Sequence, residues 1–205
     1  MKRIALLPVV FAAVLSFACN TDNRNTSDES AVGTTGNAVS AGDRAFVDEL
    51  TIAGMAEVEL GLLAMERGSS PEVKKFGDLM VNDHSKAGGE LKQIAMQYGI
   101  PVPAGLDEPH QNLRMKLSTL QGAEFDREYM SAMVDGHEDV VDRLQTRANE
   151  DRIGDDKGTV TPERSDNPVE ASLNQWAAAA LPTVRHHLDE AERIHNGLAR
   201  TLTNR

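Results

Sequence analysis

The sequence predicts an all-α fold in which four long amphipathic helices pack as a bundle. Aromatic residues make up only 4% of the 205 residues, so the core must consist mostly of Leu, Met, Val and Ala, a composition that suits helices packed on helices. Apolar residues also recur at the three- and four-residue spacing of one helical face. In the second predicted helix this face comprises Phe76, Met80, His84, Ala87 and Leu91.

Capping and terminating residues bound the four predicted helices. The helices span residues 43–67, 70–98, 123–150 and 169–202. Asp43 can cap the first helix, which Gly68 ends, and Ser70 followed by Pro71 marks the start of the second. The short link between these two helices predicts an antiparallel hairpin. Pro182 is expected to kink the fourth helix or to start a new segment.

The two longer connections differ in character. Residues 100–121 can carry the chain from one end of the bundle to the other. Pro101, Pro103 and Pro109 are expected to prevent regular structure at the start of this connection, and leucines near its end predict a short helix. Residues 151–168 are charged and contain glycine and proline, so we predict a loop there.

The N-terminal residues 1–18 have the features of a secretory signal peptide. Lys2 and Arg3 precede an apolar run that is too short for a comfortable membrane span. Cys19, the single cysteine of the chain, follows directly and resembles the lipidated cysteine of a bacterial lipobox. Cleavage near Ala18 without lipidation is the alternative. We therefore expect a cell-envelope protein in the periplasm, held at the outer membrane by a lipid anchor on Cys19.

Residues 19–42 are predicted to form a disordered tether between the anchor and the folded domain. They are rich in Asn, Thr, Ser, Gly and Asp and show no apolar periodicity. The domain itself is predicted to span residues 43–203.

The acidic charge balance limits the kinds of partner. The formal net charge is −11, which argues against nucleic acid and against an anionic lipid surface as binding partners. Nothing in the sequence identifies a protein partner.

Each long helix carries one ionisable residue near the middle of its apolar face. These residues are Glu57, His84, His137 and His187. Glu57 precedes Ser69 by 12 residues and His84 follows it by 15, so at about 1.5 Å rise per residue the two lie nearly level in the hairpin. We therefore predict one polar layer inside the bundle. It is either a hydrogen-bonded layer that sets the helix register or a site for zinc, copper or iron.

Other kinds of site have weaker support. A di-iron carboxylate centre normally needs Glu-x-x-His on two helices, and the sequence contains this motif once, at Glu192–His195. Met80 and Met133 lie one turn before the core histidines and could suit copper(I), but methionine at helical spacing is more often core filler. The sequence shows no Ser-His-Asp order, phosphate loop or catalytic cysteine. A conventional enzyme is therefore not expected, and a redox or metal-oxidising enzyme is the weakest alternative.

Several segments together resemble a known family. They are GMAEVELGLLA, VKKFGDLMVNDHSKA, LKQIA, GAEFDREYMSAMVDGHEDVV and LPTVRHHLDEA. This set is similar to a bacterial envelope family, domain of unknown function 4142, which is grouped with ferritin-like four-helix bundles. The resemblance covers roughly residues 43–200 and implies a ferritin-like up-down-down-up bundle with a long crossover between its second and third helices. Residues 151–168 stand out as an insertion. The positions that match the family are Glu57, Asp83, His84, Phe125, Tyr129, His137, Pro182 and His187.

The function expected from these observations is binding. We expect an exported, lipid-anchored envelope protein that holds a metal ion or a small ligand in its Glu/His layer. The alternative is a structural or stress-related envelope protein in which this layer only fixes the packing of the helices.

Overall fold

The computed structural model describes residues 38–148 and 160–203. These residues form an all-α structure in which four long helices pack as a bundle, with a short helix in the connection between the second and third of them. The elements are α1 (Ala41–Arg67), α2 (Pro71–Gln97), α3 (Glu108–Ser118), α4 (Gly122–Ala148) and α5 (Pro168–Thr203). The predicted fold class is confirmed. The predictions made for the signal peptide, for Cys19 and for most of the tether concern residues outside those described.

Side-chain pairs define the direction of each helix. The Arg147 guanidinium lies 2.6 Å from the Asp43 carboxylate near the start of α1, and His137 lies beside Glu57 further along. The residue numbers on α4 fall as those on α1 rise, so these two helices are antiparallel.

Two side-chain pairs define the relative direction of α2 and α5. Asp83 on α2 pairs with His187 on α5. Tyr98, the C-cap of α2, pairs with Ser172, which precedes His187 on α5. These two helices are therefore antiparallel. Because the three-residue link makes α1 and α2 antiparallel as well, the bundle has the up-down-down-up order that the resemblance implied.

Helix α1 begins slightly earlier than predicted. Ser40, not Asp43, is its N-cap: the Ser40 hydroxyl accepts from the Asp43 backbone N–H at 3.0 Å, and the Asp43 carboxylate accepts from the Ser40 backbone N–H at 2.9 Å. This reciprocal capping box satisfies two backbone donors. Val39 packs against the core, so the last residues of the predicted tether belong to the domain.

The end of α1 and the start of α2 lie where the sequence predicts them, whereas two prolines behave differently from the prediction. Gly68 caps the end of α1, and Ser70 with Pro71 starts α2. Pro109 does not prevent helix formation, because it lies in the first turn of α3, where a missing backbone N–H is tolerated. Pro182 lies inside α5, which continues through it as one helix.

The core consists of two apolar clusters separated by polar residues. One cluster includes Leu50, Leu91, Leu144 and Leu181, and the other includes Leu60, Phe76, Met80, Tyr129 and Met133. On every long helix the ionisable residue predicted from the sequence lies between the residues of the two clusters. Met80 and Met133 are at most 1% exposed and belong to the second cluster, as expected of methionines that fill the core.

No helix formed by residues 38–148 and 160–203 is long and apolar enough to cross a membrane.

Candidate metal centre

Three histidines from three helices meet in the layer between the two clusters. They are His84 on α2, His137 on α4 and His187 on α5, and their ring centroids are 5.7, 5.4 and 5.6 Å apart. One nitrogen from each ring lies within 4.8 Å of the nitrogens from the other two rings. His137 and His187 are 1% exposed, whereas His84 is half-buried. We refer to these three residues as the histidine triad.

Hydrogen bonds on the outer side of the triad determine where two of the rings carry their protons. His137 Nδ1 lies 2.7 Å from the backbone carbonyl oxygen of Met133. A carbonyl oxygen can only accept, so Nδ1 carries the proton and donates it. His187 Nε2 lies 2.9 Å from Oδ2 of Asp83 and donates to this carboxylate oxygen. In the neutral rings, His137 Nε2 and His187 Nδ1 therefore present lone pairs.

One nitrogen of each ring in the triad is buried without a partner. His84 Nε2, His137 Nε2 and His187 Nδ1 have no hydrogen-bond partner among the described residues. Buried polar atoms are normally hydrogen-bonded, and an exception calls for an explanation such as a bound ion. A metal ion accepts lone pairs from neutral imidazoles, so the donor set of the triad fits a transition metal.

The three rings are neutral near pH 7 because the site is buried. Burial, together with the neighbouring His137 and His187, lowers the pKa of His84 to about 3. Burial lowers the pKa of His137 to about 4 against the opposing effect of its bond to Met133. Burial also lowers the pKa of His187, although the bond to Asp83 opposes the shift. Neutral imidazole is the form that binds metal.

Glu57 lies beside the triad and not within its group of mutually close atoms. Its Oε1 is 3.7 Å from His137 Nδ1, the nitrogen that donates to Met133, and its Oε2 is buried without a partner in the described part of the chain. Burial raises the pKa of Glu57 to about 8, so the carboxyl group is largely uncharged at neutral pH. The nearby Tyr129 hydroxyl also has a pKa raised by burial and by Glu57.

All four predicted residues lie in one layer of the bundle, but Glu57 does not take the same place as the histidines. The three histidines converge on one another, and Glu57 approaches only the outer side of His137. Metal binding by the four residues remains a prediction. Sequence reasoning assigned no role to Asp83, which orients His187 as carboxylates commonly orient metal-binding histidines. Its place directly before a core histidine is the signal that could have indicated this role.

A cavity of about 270 Å³ adjoins the triad. The triad, Glu57 and Asp83 line it, and apolar side chains from all four long helices form most of the rest of its wall. Lys86 and Glu90, which are exposed, border it, so the cavity opens to solvent beside them. A small molecule could therefore reach the triad.

The fold and the site define a four-helix bundle with a buried histidine triad that could hold a metal ion. The family model described as Domain of unknown function (DUF4142) matches residues 29–157, more than half of the 205 residues. The chain belongs to this family. The matched residues end before α5, so His187 lies beyond them. No curated protein and no solved structure matches the chain.

Proposed function

We propose that the bundle binds one transition-metal ion through His84, His137 and His187. The observation that carries this proposal is the set of three buried ring nitrogens without hydrogen-bond partners in the described structure. Zinc sites that keep one coordination position free for solvent or a ligand have three protein ligands. The three neutral imidazoles of the triad resemble this ligand set. Asp83 and the Met133 carbonyl orient two of the three rings toward the ion.

The alternative, a purely structural polar layer, explains the outer hydrogen bonds but not the inner nitrogens. Two of these nitrogens present lone pairs, and two acceptors cannot hydrogen-bond each other. A proton on His84 Nε2 could serve one of them, and the other would need a donor from the adjoining cavity, which the triad lines. A bound cation can accept the lone pairs of all three rings at once, which favours it over a purely structural layer.

Zinc is expected to bind the wild-type protein, purified without a metal-binding tag, with a stoichiometry near one and to raise its melting temperature. A ligand that binds only the folded state stabilises it by about 2.7 kcal/mol at a hundredfold excess over Kd. His137→Ala should lose this increase because it removes one of the three ligands. Calorimetric titration, thermal melting and elemental analysis of the purified protein measure these effects.

His186→Ala is the matched control, since His186 is exposed and adjoins a ligand in sequence; it should respond to zinc like the wild type. Asp83→Asn should bind zinc about 10–100-fold more weakly, as expected when the group that orients a metal-binding histidine is altered. An equal zinc response of wild type and His137→Ala would contradict the metal site and favour the structural layer.

The proposal places this bundle in the cell envelope, with residues 1–18 acting as the export signal and lipid attached to Cys19. Its support is the sequence pattern alone, because these residues lie outside those that the structure describes. The tether would hold the metal site on the periplasmic side of the outer membrane.

In a bacterial host, the full chain is expected to incorporate a palmitate analogue, and Cys19→Ser is expected to remain unlabelled and to be released from the membrane fraction. The physical reason is that Cys19 is the single cysteine available for lipidation. Labelling followed by gel analysis, with immunoblotting to match the amounts of the two proteins, measures the outcome. An unlabelled wild-type chain, or equal labelling of both chains, would argue for simple cleavage.

A further inference from the structure

The cavity beside the histidine triad has room for a molecule as well as for an ion. Its volume is about 270 Å³, whereas an apolar cavity of about 150 Å³ is large enough to bind benzene. A single metal ion with three protein ligands would leave most of this space free. The cavity also reaches solvent beside Lys86 and Glu90, so a ligand could enter it from outside.

The cavity wall has a polar part and an apolar part. The triad, Glu57 and Asp83 form a polar group in the layer between the two clusters, and the further polar lining residues are Thr183, Lys86 and Glu90. The remainder of the wall is mainly aliphatic and includes Leu50, Leu91, Val140, Leu144 and Val184. A mostly apolar pocket with a few polar groups at one place is the usual form of a small-molecule site. The polar groups would orient the ligand, and the aliphatic wall would enclose the rest of it.

Two helical glycines contribute to the space in this cavity. Gly54 on α1 and Gly88 on α2 line it, and a Cβ added to either would meet no atom within 4 Å. Close helix packing therefore does not account for these glycines, in contrast to Gly61 and Gly77, where an added Cβ would meet neighbouring backbone. A side chain introduced at either position would therefore meet open space at the cavity wall.

The charge of the site indicates what kind of donor atom would bind. Three histidine ligands bring no negative charge to a divalent ion and leave a coordination position for a further ligand. A ligand with one anionic group at one end would suit both this position and a cavity whose wall is otherwise mainly aliphatic. An oxygen anion is also a suitable ligand for the metals that bind imidazole.

We propose that the cavity binds a small apolar monocarboxylate of about the size of benzoate. Its carboxylate would coordinate the metal ion and its apolar part would lie against the aliphatic wall. This inference rests on the proposed metal site and identifies the ligand class of that site.

Benzoate titrated into the zinc-loaded protein tests the inference, with acetate as the comparison. Benzoate is expected to bind on the order of tenfold more tightly than acetate because its ring is buried in the cavity. It should not bind measurably to the zinc-free protein. Isothermal titration calorimetry measures both affinities.

Variants that fill the cavity locate the binding site. Gly54→Leu and Gly88→Leu, tested separately, should retain zinc binding and weaken benzoate binding by about tenfold or more, because each adds a side chain at the wall. Gly89→Leu is the matched control, since Gly89 neighbours Gly88, is exposed and also has open space at its Cβ. It should bind zinc and benzoate like the wild type. Far-ultraviolet circular dichroism checks that each variant is folded.

The outcomes distinguish the two proposals. If zinc binds but benzoate does not, or if Gly54→Leu, Gly88→Leu and Gly89→Leu all bind benzoate equally, the cavity proposal is overturned and the metal site stands. If zinc itself does not bind, the metal site is overturned, and the cavity proposal that rests on it fails as well.

Discussion

Gly77→Ala is expected to destabilise the protein by about 1–3 kcal/mol, the usual cost of forcing extra atoms into a packed core. A Cβ on Gly77 would lie 2.7 Å from the backbone oxygen of Gly61 and 2.8 Å from the Cβ of Ala64. Neither atom belongs to the end of a flexible side chain, so α1 and α2 would have to move apart. Urea denaturation monitored by circular dichroism measures the change in the free energy of unfolding.

Gly89→Ala is the matched control in the same helix. Its added Cβ would meet no atom within 4 Å, so the variant should gain up to about 1 kcal/mol from the higher helix propensity of alanine. The two substitutions are chemically identical and are expected to change stability in opposite directions. Equal effects on stability would show that the close approach of α1 and α2 at Gly77 is not required.

The close approach of these helices also influences the site. Gly61 follows Glu57 by one helical turn, and Gly77 precedes His84 by two turns. The contact between the two glycines therefore sets the relative height at which α1 and α2 present their polar residues. A shift of the helices at this contact would displace Glu57 and His84 relative to each other.

Apolar periodicity was sufficient to predict the helices and their polar layer. Each ionisable residue interrupts an apolar face, and helices of nearly equal length joined by a short link bring their midpoints to one level. Periodicity does not define how far each helix is rotated about its own axis or which rotamer each side chain adopts. These angles decide that Glu57 approaches the outer nitrogen of His137 and that Asp83 reaches across to His187.

The error at the start of α1 has a local cause. Serine and aspartate are both favoured N-caps, so the sequence around Ser40 and Asp43 allowed either residue to cap α1. The structure uses Ser40 as the cap and Asp43 as its reciprocal partner. Asp43 also pairs with Arg147 of α4, a contact between distant parts of the chain that local pattern could not reveal.

The metal-free protein is expected to lose stability on both sides of a mildly acidic pH optimum. The reason is that burial lowers the pKa of the histidines and raises the pKa of Glu57. Burial lowers the pKa of His137 to about 4 from an ordinary 6.5. Below pH 6.5 the unfolded chain takes up a proton that the folded protein does not accept until about pH 4. Stability present above pH 6.5 is therefore lost as the pH falls toward 4.

Glu57 produces the loss on the alkaline side. Burial raises its pKa to about 8 from an ordinary 4.5, so the unfolded chain ionises first as the pH rises. The stability associated with neutral Glu57 is fully present below pH 4.5 and is lost as the pH rises through about 8. Glu57→Gln cannot ionise, so its stability relative to wild type should increase between pH 5 and pH 8, by an amount on the order of a few kcal/mol.

Urea denaturation of EDTA-treated protein at the two pH values measures this increase. Glu59→Gln is the control on the same helix, because the Glu59 carboxylate lies on the surface 2.7 Å from Arg114; its effect should be similar at both pH values. A constant difference between Glu57→Gln and wild type would mean that the Glu57 carboxyl ionises in the folded protein as readily as in the unfolded chain. In that case Glu57 would be a charged neighbour of His137, and the negative charge beside the proposed metal ion would be larger than that of Asp83 alone.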